Sequence, residues 1–177
     1  GDIISVHGSY LQDWLLYDTD YSWRLVSSES GKTRAVADIG SHWIDLVEYT
    51  TGLTVSEVMA DFSTVYKTRK KPLSGGETFS TSKVSEYTEI PINTEDMSSL
   101  LLRFNNGAIG SCFISQMFAG KKNKIQLFVG GTESSAEWDL DDSNNLKIGH
   151  RNSPNETITK DSFLMGKNTA RLISYPP

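Results

Sequence analysis

The clearest pattern along the chain is a helical one over residues 37–48, which read ADIGSHWIDLVE. At about 100° per residue, Ile39, Trp43 and Leu46 fall on one apolar stripe, as expected of the core-facing side of a helix. A second stripe is polar. It carries Asp38, His42, Asp45 and Tyr49. The pattern therefore predicts a helix that packs through one face and presents chemically active side chains on another.

Outside this helix, apolar and polar residues alternate with the period of two that is typical of β-strands. Asn106-Gly107 joins two such runs, and an Asn-Gly pair is a strong hairpin signal. The predicted strands are residues 3–16, 53–66, 85–92, 97–104, 108–118, 124–129, 134–140, 146–150 and 156–160. Short turns join most of them, so the predicted fold class is α+β, a large, mostly antiparallel open-faced sheet with few helices. One sheet face carries the helix, and the other meets solvent or a partner subunit.

Length and charge narrow the function classes. The chain has 177 residues, which is enough for one domain over residues 1–177 with a real core. Its net charge of −5 argues against nucleic acid as a partner, because phosphate binding needs clustered positive charge. The one basic cluster, KTRKK at residues 67–71, precedes Gly75-Gly76 and is predicted to be a solvated loop edge.

Cysteine and histidine usage excludes two further kinds of site. The single cysteine, Cys112, cannot form an internal disulfide, and its apolar strand predicts an inert buried thiol. His7, His42 and His150 are too scattered for a zinc site, so we expect no metal. No apolar run of about 18 residues and no leader-like N-terminus are present, so we expect no membrane contact and a cytoplasmic protein.

His42 is the candidate for proton transfer. An imidazole titrates near neutral pH, and it works as an acid or base when a neighbour holds its ring. Asp38 and Asp45 lie four residues before and three residues after it, within reach across one helical turn. Spacing alone leaves an alternative open, in which Asp38 only caps the helix and His42 and Asp45 are solvated.

Several segments carry a family resemblance. GDIISVHGSYLQDWL at residues 1–15, Trp23-Arg24, the DxGxHxxD block within SGKTRAVADIGSHWIDL at residues 30–46, and LFVGGTESSAEWD at residues 127–139 resemble the C-terminal domain of the Gfo/Idh/MocA dehydrogenases. These are NAD(P)-dependent enzymes that act mostly on sugars and polyols. The resemblance implies an open sheet of the type also found in the C-terminal domains of dihydrodipicolinate reductase and glyceraldehyde-3-phosphate dehydrogenase.

The resemblance also implies residue roles. His42 matches the acid/base and Asp38 the residue that positions it or the substrate, while Asp45 matches a position that anchors the helix or the histidine. The residues expected to line the sugar or polyol are Tyr10, Gln12, Asp13, Trp14, Trp23, Arg24 and Asp45. For Trp14 and Trp23 a packing role is equally open, and Arg24 has the alternative of tying its loop down through an ion pair.

Other family features are absent from the sequence. No glycine fingerprint for a dinucleotide follows a strand, and no EKP-type motif supplies the family's active-site lysine. The segment SGKTR at residues 30–34 also departs from the glycine triplet of many relatives. We therefore expect a C-terminal piece, inactive alone, whose NAD or NADP is bound by its own N-terminal Rossmann domain and which forms a homo-oligomer through the sheet face. The alternative is a non-catalytic binding or oligomerisation module.

Overall fold

The computed structural model describes residues 1–73, 86–161, 163–166 and 169. Its main feature is one sheet of eight strands, in the order β10-β9-β8-β7-β1-β6-β5-β2, beside a separate ribbon of β3 and β4. The strands are β1 (Ile3–Leu11), β2 (Val55–Ser63), β3 (Thr68–Pro72), β4 (Tyr87–Pro91), β5 (Met97–Phe104), β6 (Ile109–Ser115), β7 (Lys124–Gly131), β8 (Ser134–Asp139), β9 (Asn145–His150) and β10 (Glu156–Thr159).

Helical structure is sparse, as predicted. The long helix is α2 (Ser41–Thr51), and the left-handed Gly52 (φ 70°) ends it. A short helix, α1 (Ser27–Ser30), lies in the preceding loop. Single turns occur at Trp23–Leu25, Val36–Gly40 and Leu140–Asp142. No helix in the described part of the chain is long and apolar enough to cross a membrane.

The first strand lies in the middle of the sheet. β1 pairs with β6 in parallel, through Gly8 opposite Cys112, and with β7 antiparallel, through Gly8 opposite Leu127. All other strand pairs in the described residues are antiparallel, and the predicted α+β class with a large, mostly antiparallel sheet is confirmed.

The core lies between α2 and one face of this sheet. Trp43 is fully buried in the first turn of α2, and its indole N–H donates to the Gln126 carbonyl at 2.9 Å. This close approach requires a glycine at position 8, because a Cβ there would lie 2.0 Å from the same carbonyl oxygen. Cys112 is buried in the core as predicted, and burial raises the pKa of its thiol.

Two sequence predictions about the region near β1 were wrong. The strand predicted over residues 3–16 ends at Leu11, and Gln12 and Leu15 donate instead to the Ser115 and Gln116 carbonyls. The basic residues 67–71 do not form a solvated loop, because most of them belong to β3 and Arg69 is fully buried. Its two terminal guanidinium nitrogens donate to the Asp96 carboxylate and to the Leu15 and Tyr17 carbonyls, while its buried Nε meets no acceptor among the described residues.

The other predicted strands match observed ones to within a few residues. The prediction for residues 53–66 shortens to β2, while 97–104 coincides with β5. Residue 85, at the start of another predicted strand, and Gly75-Gly76 of the predicted loop lie outside the described residues.

Candidate functional site

Asp38 lies in a π-helical turn, Val36–Gly40, through which the chain enters α2. The Ser41 N–H donates to the Val36 carbonyl five residues back, so one extra residue is inserted ahead of the regular helix. The Glu95 carboxylate accepts from the backbone N–H groups of Arg34 and Val36, each at 2.9 Å, and fixes the entry to this turn. The inserted residue changes the angle between Asp38 and His42 from that of a regular helix.

Both carboxylate oxygens of Asp38 accept hydrogen bonds from other elements. Arg24 Nε donates to Oδ1 at 3.2 Å, and Gln116 Nε2 donates to Oδ2 at 2.8 Å. The Asp38 side chain is 28 % exposed, so it keeps access to solvent while its orientation is fixed. Each carboxylate oxygen can accept a second hydrogen bond, which leaves capacity for a bound ligand.

Arg24 contacts two indole rings. Its guanidinium carbon lies 4.8 Å from the ring centre of Trp23 and 6.0 Å from that of Trp14. A cavity of about 230 Å³ opens beside this stack. It is lined by Trp23, Arg24, Ser30, Thr33, Arg34, Ala37 and Asp38. The Arg24–Asp38 ion pair, which fixes the Arg24 loop, thus lies in the wall of this cavity.

His42 is exposed on the first turn of α2. Its ring centre lies 6.5 Å from that of Tyr10, with the two planes tilted by 50°. In residues 1–73 and 86–161, no hydrogen bond or ion pair joins His42 to Asp38 or to the exposed Asp45. The expected carboxylate support for the ring is therefore not formed here, because Arg24 and Gln116 hold Asp38 and the π turn changes its direction.

A second polar network lies beside His42. The Tyr10 hydroxyl donates to Asn123 Oδ1 at 2.7 Å, and Gln12 Nε2 donates to the same oxygen at 3.0 Å. Gln12 Oε1 in turn accepts from the Trp14 indole at 2.8 Å. Burial raises the pKa of Tyr10, and the nearby Asp38 charge raises it further, so the phenol is neutral and donates at physiological pH.

Asp13 has a structural partner. Its Oδ2 atom accepts from the Gly120 N–H at 3.1 Å and from Lys122 Nζ at 2.8 Å, and only 11 % of its side chain is exposed. Asp13 therefore ties the loop after β6, which leads to Asn123, onto the end of β1. By holding this loop, Asp13 helps to keep Asn123 in place for its hydrogen bonds with Tyr10 and Gln12.

Sequence reasoning missed Gln116 and Asn123, which contact the predicted site residues, and the buried ions Arg34, Asp96, Arg69 and Glu95 beneath them. Gln116 lies 78 positions from Asp38, so no local period could relate the two. The one available signal was polarity. Gln116 directly follows the apolar strand β6, where a buried polar side chain needs a partner.

The described residues contain no glycine-rich turn between a strand and a helix of the kind that holds a dinucleotide pyrophosphate. Gly130 and Gly131 end strand β7 and lead into a hairpin to β8, whereas phosphate binding uses a glycine-rich turn between a strand and a helix. The described residues also bring together no group of three histidine, cysteine, aspartate or glutamate side chains that could hold a metal ion.

Comparison with known proteins places this arrangement in a family. A family model of the GFO/IDH/MocA C-terminal domain matches residues 1–137. Levoglucosan dehydrogenase from Pseudarthrobacter phenanthrenivorans is 32% identical over 149 residues, which are 84% of this chain and 38% of that protein.

Solved structures agree. An oxidoreductase domain protein from Kribbella flavida superposes with a TM-score of 0.77 at 28% identity, over 90% of this chain and 41% of its own. A levoglucosan dehydrogenase in complex with NADH and levoglucosan superposes with a TM-score of 0.75 at 28% identity, over 92% of this chain and 41% of its own. This chain thus spans about two fifths of the length of these relatives, and it belongs to the Gfo/Idh/MocA C-terminal domain family.

Proposed function

We propose that this chain is the substrate-binding and catalytic half of an oxidoreductase that transfers a hydride between NAD or NADP and a hydroxyl-bearing carbon of a sugar or polyol. The observation that carries the proposal is the grouping of an exposed His42, the oriented carboxylate of Asp38 and the phenol of Tyr10 at one end of α2. Family membership and the levoglucosan dehydrogenase relatives support the same reaction class.

His42 acts as the general base in alcohol oxidation. Neutral imidazole takes the hydroxyl proton as the hydride leaves the carbinol carbon, and imidazolium returns it in the reverse direction. The exposed position of His42 leaves it free to meet a substrate hydroxyl. The nicotinamide cofactor supplies the hydride acceptor. We assign the binding of its pyrophosphate to an N-terminal Rossmann domain of the complete protein, because the glycine pair of the described residues lies in a hairpin and not at a strand-to-helix turn.

Asp38 orients the substrate rather than the ring of His42. Its two oxygens are fixed by Arg24 and Gln116, and each can still accept a bond from a substrate hydroxyl. Trp23, 48% exposed, and Arg24 form one wall of the adjacent cavity and suit a sugar, which offers hydroxyl groups and an apolar face together. Gln12 and Tyr10 are not part of that cavity wall, and their network with Asn123 is assigned the substrate contacts on the His42 side of Asp38.

The remaining predicted residues take supporting roles. The Trp14 ring contacts the Arg24 guanidinium, and the residue also packs against the small core of Leu15, Leu25 and Ile92. Asp13 anchors the loop that carries Asn123. Asp45, exposed one turn after His42, is assigned a place at the rim of the substrate site.

The test is a substrate screen of the complete protein. It is mixed with NAD⁺ or NADP⁺ and a panel of cyclic polyols, open-chain polyols and anhydrosugars, and reduced nicotinamide is followed by absorbance. Turnover of at least one class supports the proposal. Binding of a polyol without any cofactor reduction, under both cofactors, would instead favour the non-catalytic module.

We also propose that the protein forms a homo-oligomer through the sheet face opposite α2. Leu100 and Leu102 are buried under the helix, so Leu101 between them points to that other face, where it is 56% exposed. Met59, its neighbour across the strand pair, is 70% exposed. Light scattering of the complete protein at high concentration tests this proposal, and a monomer mass would contradict it.

A further inference from the structure

Gln116 links Asp38 to a buried ion pair. The Gln116 side chain is fully buried directly after β6, and its Nε2 atom donates to Asp38 Oδ2 at 2.8 Å. On its other side, Oε1 accepts from Arg34 Nη1 at 3.3 Å. Its backbone is also paired, because its N–H donates to the Asp96 carbonyl and its own carbonyl accepts from Leu15. The residue therefore has little freedom to move.

The direction of the Gln116 amide follows from chemistry. A guanidinium has donors and no acceptor, so the end of the amide that meets Arg34 must be the oxygen. The NH₂ end then faces Asp38 and can only donate to it. A glutamine bonded to two hydroxyl groups would lack this constraint, since either end of the amide could meet either partner.

Arg34 itself is immobilised. Its Nη2 atom donates to Asp96 Oδ1, and its Nε donates to Thr94 Oγ1 at 3.3 Å. Arg69 Nη2 donates to the same Asp96 oxygen at 2.8 Å, and the side chains of all three ions are fully buried. A buried pair with this many partners is rigid, so it provides a fixed reference for Gln116.

We propose that Gln116 is a positioning residue, which transmits the fixed geometry of the Arg34–Asp96 ion pair to the Asp38 carboxylate and so sets the orientation in which Asp38 meets the substrate. The proposal rests on the proposed function. In this role, the side chain at position 116 must donate a hydrogen bond to Asp38.

The activity test uses the complete protein with Gln116→Leu, Gln116→Glu and the control Thr50→Val. Thr50 also donates a side-chain hydrogen bond, to the Leu46 carbonyl at 2.7 Å, but it lies in the last turn of α2, away from the proposed oligomer face. We expect Gln116→Leu to lower kcat by roughly 10-fold to 100-fold with the KM for the cofactor unchanged, because a misplaced group costs that much. Thr50→Val should keep kcat within about twofold of the wild type.

Gln116→Glu separates donation from packing. Glutamate has the same shape, but an ionised carboxylate beside Arg34 accepts from that guanidinium and has no proton to donate to Asp38. We therefore expect Gln116→Glu at about pH 8 to lower kcat at least as much as Gln116→Leu does, with the KM for the cofactor again unchanged. Wild-type kcat in Gln116→Glu or in Gln116→Leu would overturn the proposal.

A measurement without catalysis keeps the two proposals distinguishable. In NMR of the 177-residue chain, Asp38→Ala should raise the solvent exchange rate of the Gln116 side-chain amide protons by roughly tenfold or more, and Asp139→Ala should leave it unchanged. An unchanged exchange rate of the Gln116 amide protons in Asp38→Ala would overturn the positioning role. Absence of turnover in the wild-type protein would count against the proposed function alone, since the exchange rates would still decide whether Gln116 holds Asp38.

Discussion

Arg24 and Asp38 form an ion pair, with Nε 3.2 Å from Oδ1, that joins the loop after β1 to the turn before α2. The Arg24 guanidinium is also stacked on Trp23, so the pair has a planar cation in a fixed orientation. Both side chains are about one third exposed, and pairs of this kind contribute little to stability. The pair therefore matters through the geometry that it gives to Asp38.

Replacement of Arg24 by lysine should affect turnover more than stability. Lysine keeps the charge, but it lacks the planar guanidinium that stacks on Trp23 and donates from Nε to Asp38 Oδ1 in a fixed orientation. We expect kcat/KM of the complete protein to fall by roughly tenfold. The free energy of unfolding should change by less than about 1 kcal/mol. Steady-state kinetics and urea denaturation check the two parts, and a stability loss without a kinetic effect would contradict this account.

Replacement of Asp38 by asparagine should change the titration of Tyr10. The Asp38 charge and burial both raise the pKa of Tyr10 above its ordinary value of 10.0, so loss of the charge should lower it. The change is measured by NMR of the Tyr10 ring carbon bonded to oxygen. Asp139→Asn, two strands from β1 and on the opposite face of the sheet, is the matched control and should leave the pKa of Tyr10 unchanged.

The raised pKa of Tyr10 also predicts a pH dependence of stability. The folded state holds the phenolic proton more tightly than the unfolded state, so this contribution is fully present below about pH 10. It is lost as the pH rises through the folded-state pKa. Unfolding measured from about pH 9 upwards should show this loss, and in Asp38→Asn the loss should be smaller.

Asp96→Asn should be strongly destabilising. The change leaves two fully buried guanidinium groups, those of Arg34 and Arg69, without their shared carboxylate. Breaking a buried pair in this way costs about 3–5 kcal/mol of the free energy of unfolding. Glu137→Gln removes an exposed pair with Lys147 on β8 and β9 and should cost less than about 1 kcal/mol. Equal effects of the two variants in urea denaturation would contradict the structural role of Asp96.

Local patterns predicted much of this fold. The stripe with Ile39 and Trp43 packs as expected, and the Asn106-Gly107 turn joins β5 and β6, because each of these signals lies within a few residues of chain. The central place of β1 was not predictable in this way. Its parallel partner β6 begins about a hundred residues later, and nothing local specifies that pairing.

The site was predictable to a similar extent. Asp38 and His42 stand out by spacing on one helix. The π turn between them and the ties from Arg24 and Gln116 depend on tertiary contacts. Arg69 illustrates the same limit. Its charge predicted a solvated loop, but the residue is buried, because tertiary contacts supply Asp96 and two backbone carbonyls as acceptors.

The central claim is that His42 carries the proton in alcohol oxidation, and the most direct measurement is kcat of His42→Ala in the complete protein. We expect kcat to fall by roughly 10²-fold or more. His150→Ala is the control, because His150 pairs with Glu156 near the far edge of the sheet and should keep wild-type kcat. A wild-type kcat in His42→Ala would contradict the account.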